Sequence, residues 1–337
     1  MFDWHKLGTP QKMNFLSQAS AITGYPDQII EKDFWVTVAL KAIFDTPWSQ
    51  YLVFKGGTSL SKAWNIIERF SEDIDLALDR QALGFAPGEI SKSQIKKLRE
   101  ASAAFMEQQF MPDLEQRLLQ IGIEPGQFTL EIQPIASPDV DPRIIKIRYQ
   151  SVVPGHTYVR DQVLIEIGAR SLKEPYAPRN IMTILSAVFP GTSVADPAFQ
   201  INTVLPERTF YEKALLLHEE HCKATENRRH LRLSRHLFDL YRIKQSPHAK
   251  NALADKELFD VIVAHRKLYN TIRGISYENH TFQAINFIPP ADVLELWRQD
   301  YDQMGVMIFG EKPSFDQILE EMNSLLQMFR DNKIDPQ

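Results

Sequence analysis

Residues 53–78, VFKGGTSLSKAWNIIERFSEDIDLAL, decide how the first half of the chain folds. The hydrophobic run 51–54 predicts a short buried strand that ends at two glycines, Gly56 and Gly57. Residues 58–67 then favour a helix, with Thr58 or Ser59 as the expected N-cap. The stretch therefore predicts a strand, a glycine turn and the start of a helix, in that order.

The end of the same stretch, DIDLAL, alternates between hydrophobic residues and acidic or small ones. Because successive side chains of a strand point to opposite faces, Asp73 and Asp75 share one face. Two carboxylates about 6 to 7 Å apart can together hold a hard divalent cation such as Mg²⁺. A lone D-x-D pair is also typical of an exposed strand end, so the pair needs support from its surroundings.

The glycine turn supplies that support. A helix start presents unpaired backbone N–H groups, and Thr58 and Ser59 add hydroxyls that can bind phosphate oxygens. A cation site beside such a cradle outlines a site for a nucleoside triphosphate. GGTSLSK lacks the spacing of a P-loop, and the dinucleotide fingerprint G-x-G-x-x-G is absent here.

The remaining sequence changes from mixed to helical along the chain. Residues 9–43 predict two helices separated at Gly24, and residues 91–120 predict a long helix with a break at Pro112. The charges Glu31, Lys32 and Asp33 in the second helix are interpreted as solvated residues that complement the helix dipole. Strands are predicted at 128–135, 143–152 and 162–170, as consecutive antiparallel pairs.

From residue 206 onward the pattern is almost wholly helical. Helices are predicted at 207–223, 230–244, 256–269, 291–303 and 314–330. We therefore predict an α/β (α+β) fold with a mixed sheet. It comprises a domain of residues 1–200 with N-terminal helices and a helical domain of residues 201–337.

Composition excludes several classes of protein. The 337 residues are 44% hydrophobic and carry a net charge of −5, which argues against a generally basic nucleic-acid coat. Cys222 is the single cysteine, so an intramolecular disulfide and a multi-cysteine zinc site are excluded. No hydrophobic run approaches the length of a membrane span, and we expect a soluble, cytoplasmic protein without a membrane partner.

Three charged residues in the second half stand out against hydrophobic neighbours. Glu166 is the only charge in the run QVLIEIG, where it is either a metal ligand or one half of a structural ion pair. Lys213 precedes the run ALLL and is either functional or a surface lysine with a buried stem. Asp239 lies between Phe238 and Leu240, either facing inward or paired within its helix.

A basic segment, KATENRRHLRLSRH, lies between the helices that carry Lys213 and Asp239. A solvated charged loop is the usual explanation for such a segment. The alternative is a surface for the RNA backbone, formed in an otherwise acidic chain. Its candidate RNA-binding residues are Arg228, Arg229, Arg232 and Arg235.

With these residues identified, the chain resembles the AbiEii/AbiGii-type nucleotidyltransferase toxins, which are relatives of the MenT toxins in the DNA polymerase β-like nucleotidyltransferase superfamily. The matching pieces occur in the order of the family. They are EKDFWVTVAL, FKGGTSLSKAW, RFSEDIDLAL, VLIEIGAR, YEKALLL and SRHLFDLY. The resemblance implies a polymerase-β-like nucleotidyltransferase domain followed by a helical domain that completes the active-site cleft.

The resemblance also implies roles for individual residues. Gly56, Gly57, Thr58 and Ser59, together with Lys62, would bind the nucleotide, and Asp73 and Asp75 would hold Mg²⁺ or Mn²⁺. Glu166 is the candidate third metal ligand. Lys213 would contact phosphates, and Asp239 would complete the catalytic set.

The implied reaction is in-line attack of a hydroxyl on the α-phosphate of a nucleoside triphosphate, with pyrophosphate leaving. The expected acceptor is the 3′ end of an RNA, tRNA being a substrate of some relatives, and a cognate antitoxin is the expected protein partner. Two alternatives stay open, which are transfer onto a protein hydroxyl and a catalytically inert nucleotide- or RNA-binding module. Phosphorylation of Ser71 is a candidate means of regulation.

Overall fold

A computed structural model of the chain describes residues 2–86, 90–134, 142–153, 160–169, 173–270, 272 and 274–331. The last residues of two predicted strands, Ile135 and Arg170, lie outside these ranges. The chain divides into two compact units. Unit 1 contains Met1–Ala63 and Phe70–Val204, and unit 2 contains Trp64–Arg69 and Leu205–Gln337.

Unit 1 begins with two helices, α1 (Thr9–Thr23) and α2 (Asp27–Phe44). The predicted separation at Gly24 is confirmed, since this residue caps α1 in the left-handed conformation with φ 74°. Helix α2 is buried around almost its whole circumference. Its first turns carry the three charges that sequence reasoning placed in solvent, and that interpretation is wrong because all three are buried.

The decisive stretch folds as strand β1 (Leu52–Lys55), helix α3 (Gly56–Lys62) and strand β2 (Asp73–Leu78). The predicted N-cap at Thr58 or Ser59 is wrong, because the helix already begins at Gly56 and Lys55 is its N-cap. The helix also ends earlier than predicted. Asn65 adopts a φ of 53°, which does not continue a right-handed helix.

The long helix predicted for residues 91–120 is two α-helices joined by one π-helical turn. They are α4 (Lys92–Phe105) and α5 (Met111–Ile121), with the π-helical turn at Met106–Phe110. Pro112 lies in the first turn of α5, where a missing N–H costs no helical hydrogen bond. The interruption therefore lies before the proline and not at it.

Besides short 3-10 turns, the remaining elements of the described part of unit 1 are five strands and one short α-helix. They are β3 (Phe128–Ile132), β4 (Arg143–Tyr149), β5 (Gln162–Gly168), β6 (Tyr176–Ile181), α6 (Ile184–Val188) and β7 (Phe199–Val204). The strands described form one mixed sheet in the order β3-β4-β5-β2-β1-β7-β6. The predicted antiparallel pairing of β3, β4 and β5 is confirmed.

Two pairs of strands in this sheet are parallel, β2 with β5 and β1 with β7. Sequence reasoning did not predict β6 or β7. Strand β6 contains Pro178, a residue that a sheet accepts at an edge, and β6 is the last strand of the order. The predicted α+β class with a mixed sheet is confirmed by this architecture.

Unit 2 contains helices α7 to α12. They are α7 (Pro206–His221), α8 (Ser234–Lys244), α9 (Pro247–Ala254), α10 (Lys256–Tyr269), α11 (Leu294–Met304) and α12 (Phe315–Asp331). Helix α8 begins four residues later than predicted, and Arg232 just before it has a φ of 61°. The eight-residue helix α9 was not predicted. No helix in the described part of the chain is long and apolar enough to cross a membrane.

The segment Trp64–Arg69 packs with unit 2 although it separates α3 from β2 in the sequence. The Trp64 ring makes an edge contact with the ring of His248 at a centroid distance of 5.6 Å. Glu68 accepts a backbone hydrogen bond from Phe309 N at 3.0 Å and pairs with Arg242 Nη2 at 3.0 Å. Unit 2 is therefore built from two separate parts of the sequence.

Candidate active site

Strand β2 presents its two aspartates on one face of the sheet. Asp73 and Asp75 are half-buried, while Ile74 and Leu76 between and beyond them are fully buried. This is the alternation that the sequence predicts. The two carboxylates thus lie on the side of β2 that keeps contact with solvent.

Glu166 joins this face from the neighbouring strand. Strands β2 and β5 are parallel, and their register places Asp75 opposite Glu166 and Asp73 opposite Leu164. Adjacent strands are about 4.8 Å apart and paired residues share a face, so Glu166 lies beside Asp75. Leu164 and Glu166 are half-buried whereas Val163, Ile165 and Ile167 are buried, so β5 alternates as β2 does.

Gly56 packs against the carboxylate of Asp75. It has a φ of 80°, and a Cβ atom built on it would lie 1.9 Å from Asp75 Oδ2. Both observations require glycine, one for the backbone conformation and one for space. The turn between β1 and α3 therefore holds its backbone directly against the second aspartate.

The hydroxyls predicted to bind phosphate form hydrogen bonds within unit 1. Thr58 Oγ1 donates to the carbonyl oxygen of Asp73 at 2.5 Å and lies 2.9 Å from Ser71 Oγ. Ser59 Oγ donates to the carbonyl oxygen of Gly56 at 2.9 Å. Both hydroxyl residues are buried, so they fasten α3 to the start of β2 and to the glycine turn.

Lys62, the last residue of α3, is held by two partners from other elements. Its ammonium pairs with the carboxylate of Asp33 and donates to the carbonyl oxygen of Met182 at 3.0 Å. Sequence reasoning assigned Lys62 to nucleotide binding. In the structure it ties the end of α3 to α2 and to the segment before α6.

The chemistry of the strand-face carboxylates fits a hard divalent cation. Among the described residues, no group of three His, Cys, Asp or Glu side chains is arranged to hold a metal ion. Mg²⁺ is usually bound by one or two carboxylates together with substrate phosphates and waters, and seldom by a complete protein cage. Asp73, Asp75 and Glu166 are therefore candidate ligands, of which one or two would suffice beside a bound triphosphate.

Lys213 and Asp239 meet in unit 2. Lys213 Nζ lies 2.7 Å from Asp239 Oδ2. Arg69 contacts the same carboxylate with two parallel bonds, Nε to Oδ1 and Nη2 to Oδ2, both 2.7 Å. Of the two alternatives for Asp239, the inward-facing one is confirmed, because the side chain is 0% exposed.

The two cations control the charge of Asp239. Burial raises the pKa of this carboxyl, but Arg69 and Lys213 outweigh it and hold the pKa far below its ordinary value. Burial lowers the pKa of Lys213, which Asp239 partly counteracts. Asp239 is therefore ionised at neutral pH and fully engaged by its neighbours.

Much of the basic segment predicted to bind RNA is engaged by acidic residues of unit 2. Arg228 Nη1 contacts Asp292 Oδ2 at 2.7 Å, and Arg229 Nη2 contacts Glu220 Oε2 at 2.8 Å. The backbone N–H of Arg232 donates to Asp300 Oδ1 at 2.5 Å. Part of the positive charge of this segment is thus balanced locally.

Two sets of residues escaped the sequence reasoning. Arg69 carries no local signal, because its partner Asp239 is 170 residues away. The charges at the start of α2 contained a signal that was set aside. They are three consecutive ionisable residues inside an otherwise hydrophobic helix, and a buried charge requires a partner.

A model of the family described as "Nucleotidyl transferase AbiEii toxin, Type IV TA system" matches residues 38–321. The match spans both units and includes the strand-face carboxylates, Lys213 and Asp239. No curated protein matches the chain.

Proposed function

Because this chain belongs to the AbiEii family of nucleotidyltransferase toxins of type IV toxin–antitoxin systems, we propose that it transfers a nucleoside monophosphate from an NTP to the 3′ end of an RNA. The proposed acceptor is tRNA, and the proposed cation is Mg²⁺ or Mn²⁺. The family also implies an antitoxin as a protein partner.

The observation that carries the proposal is the shared face of β2 and β5. Three carboxylates from two adjacent parallel strands lie there, with the glycine turn packed against Asp75. Hard oxygen ligands beside a glycine-rich helix start are what a nucleotide bound with a divalent cation requires.

The residues of the chain have separate parts in the proposed reaction. Asp73, Asp75 and Glu166 hold the cation, which when bound neutralises charge on the triphosphate and the leaving pyrophosphate. Gly56 and Gly57 allow backbone N–H groups to approach the phosphates. With Thr58 and Ser59 fastening the turn, these groups orient the α-phosphate for in-line attack.

Lys213 and Asp239 are proposed to act together within unit 2. Asp239 is completely buried, so it acts through Lys213 and does not itself contact the substrate. Lys213 is 7% exposed, and its ammonium is the group proposed to contact a phosphate. Asp239 fixes the position of that ammonium through the 2.7 Å contact.

Incubation with each labelled NTP, Mg²⁺ and total cellular RNA tests the proposal. We expect label in an RNA fraction of tRNA size, no incorporation after chelation of the metal, and none with Asp73→Ala. Asp45→Ala, at the residue that follows α2, is the matched control, since its carboxylate pairs with Lys41 at the surface. Label on protein would indicate a protein acceptor, and nucleotide binding without turnover would indicate an inert module.

Ser71 is proposed as a site of regulation of the same reaction. Its hydroxyl lies 2.9 Å from Thr58 Oγ1, two residues before Asp73. A phosphate there would add about −1.5 to −2 charges next to the carboxylates and separate the two hydroxyls. Ser71→Asp is expected to lower transfer relative to Ser71→Ala, and equal activity of the two variants would contradict this role.

A further inference from the structure

Three consecutive residues at the start of α2 reach three different segments around the strand-face carboxylates. We call Glu31, Lys32 and Asp33 the α2 anchor. Their exposed fractions are 1%, 1% and 9%, so none is a surface charge. Every side chain of the α2 anchor makes a polar contact with a residue that is distant in sequence.

Lys32 connects the segments that precede both carboxylate-bearing strands. Its ammonium pairs with Glu72, the residue before Asp73, and donates to the carbonyl oxygen of Arg160 at 2.9 Å. Arg160 lies two residues before β5, the strand of Glu166. One buried ammonium therefore links the starts of β2 and β5, the two parallel strands whose register aligns the carboxylates.

Asp33 connects α3 with the start of α6. One carboxylate oxygen pairs with Lys62 at the end of α3, and the other accepts from Ile184 N at 2.7 Å. Since α3 follows directly on the glycine turn, Asp33 holds the far end of the helix whose start packs against Asp75.

Glu31 fastens the chain that leaves β4. Its oxygens accept from Ser151 Oγ at 2.6 Å and from Val152 N at 2.9 Å. Burial raises the pKa of Glu31, and these two hydrogen bonds oppose that rise. The carboxylate thus replaces its lost hydration with donors from one short segment.

We propose that the α2 anchor is a set of positioning residues for nucleotide transfer, in which Lys32 fixes Asp73 and Asp33 fixes α3 and its glycine turn. The role as positioning residues rests on the proposed function. Burial of three charges in a helix is costly unless each is fully paired. Hydrophobic residues would pack α2 at lower cost, so the charges are explained by what they hold.

The decisive comparison uses Lys32→Met together with the double variant Lys32→Met/Glu72→Gln. Lys32→Met is expected to lower kcat about 10- to 100-fold, because a displacement near 1 Å at the reacting groups has an effect of that size. KM for the NTP should change less than about twofold. The double variant removes the charge left beside the methionine, so it should regain stability without regaining kcat.

Asp33→Asn is a separate variant that tests the contacts of Asp33. It keeps an acceptor for Ile184 N but loses the ion pair with Lys62. We expect KM for the NTP to rise about five- to tenfold with kcat nearly unchanged, because the glycine turn and not Asp73 is loosened. Lys41→Met on the same helix is the control, since Lys41 pairs with Asp45 near the surface.

Amide hydrogen exchange separates this inference from the proposed function. Lys32→Met should speed exchange in residues 71–75 and 160–164, and Asp33→Asn should speed exchange at Ile184, whatever reaction the protein performs. Unchanged exchange in these segments would overturn the α2 anchor. Wild-type kcat in the double variant would overturn the positioning role, whereas absence of transfer in the wild-type chain would overturn only the proposed function.

Discussion

The carboxylates of unit 1 and the carboxylate of unit 2 occupy opposite environments. Asp73, Asp75 and Glu166 are half-buried on a sheet face, whereas Asp239 is completely buried between Arg69 and Lys213. The resemblance to the family assigned both sets to one catalytic group. The difference is that Asp239 is enclosed by two cations of unit 2, whereas the strand-face carboxylates keep partial contact with solvent.

The largest effect on transfer is expected when the charge of Asp73 or Asp75 is removed. Asp73→Asn and Asp75→Asn are each expected to lower nucleotide transfer at least about a thousandfold, equivalent to about 4 kcal/mol of transition-state stabilisation. Because both side chains are half-exposed, the midpoint of thermal unfolding should stay within about 2 °C. Labelled-NTP incorporation and a melting curve on the same sample measure the two effects.

In unit 2, removing the carboxylate charge is expected to cause a large loss of stability. Asp239→Asn leaves Arg69 and Lys213 buried without this carboxylate, which should lower the free energy of unfolding by about 3 to 5 kcal/mol. Asp302→Asn on α11 is the control, since Asp302 is exposed. Denaturant titration measures the loss. An Asp239→Asn protein of wild-type stability would show that the buried cluster is not structural.

Two glycine variants separate steric contact with Asp75 from backbone strain, and the effect expected on transfer is smaller. Gly56→Ala and Gly84→Ala both place a side chain at a φ near 80°, but only the first brings a Cβ atom against Asp75. The backbone strain should cost about 1 to 2 kcal/mol in each variant. Transfer should fall about 10- to 100-fold in Gly56→Ala alone. Equal activities of the two variants would contradict a role for this contact.

The smallest effect is the acid dependence of unit 2. The folded-state pKa of Asp239 lies far below the unfolded value of about 3.9, so its stabilising contribution is fully present above that value. It is lost as the pH falls through the lower folded-state pKa. Wild type should therefore exceed Asp239→Asn in stability at pH 5 to 7, and the difference should narrow below about pH 4, as measured by urea unfolding.

The sequence was most informative where the signal is local. Alternation in DIDLAL placed Asp73 and Asp75 on one strand face, and the glycine pair marked the turn before α3. The parallel alignment of Asp75 with Glu166 could not be predicted from the sequence, because about ninety residues and four labelled elements, α4, α5, β3 and β4, separate their strands. The pairing of Asp239 with Arg69 joins residues 170 positions apart, so no local pattern could predict it.

Errors arose where local rules competed with burial or backbone conformation. The first charges of α2 resembled a solvated helix start, although they are buried and bind partners in other elements. Thr58 and Ser59 resembled N-caps, but Gly56 lets the chain turn sharply enough for the helix to begin two residues earlier. Strand β6 was missed because Pro178 weakens the strand pattern.

The passage of residues Trp64–Arg69 into unit 2 limits how this protein can be divided. A fragment that starts at Leu205 would keep α7 to α12 but would lack Arg69, which supplies two of the hydrogen bonds to Asp239. The same six residues cannot be removed without cutting the link between α3 and β2. The two units therefore cannot be separated by a single cut in the chain. Fragment complementation would require residues Trp64–Arg69 to be supplied together with the fragment that starts at Leu205.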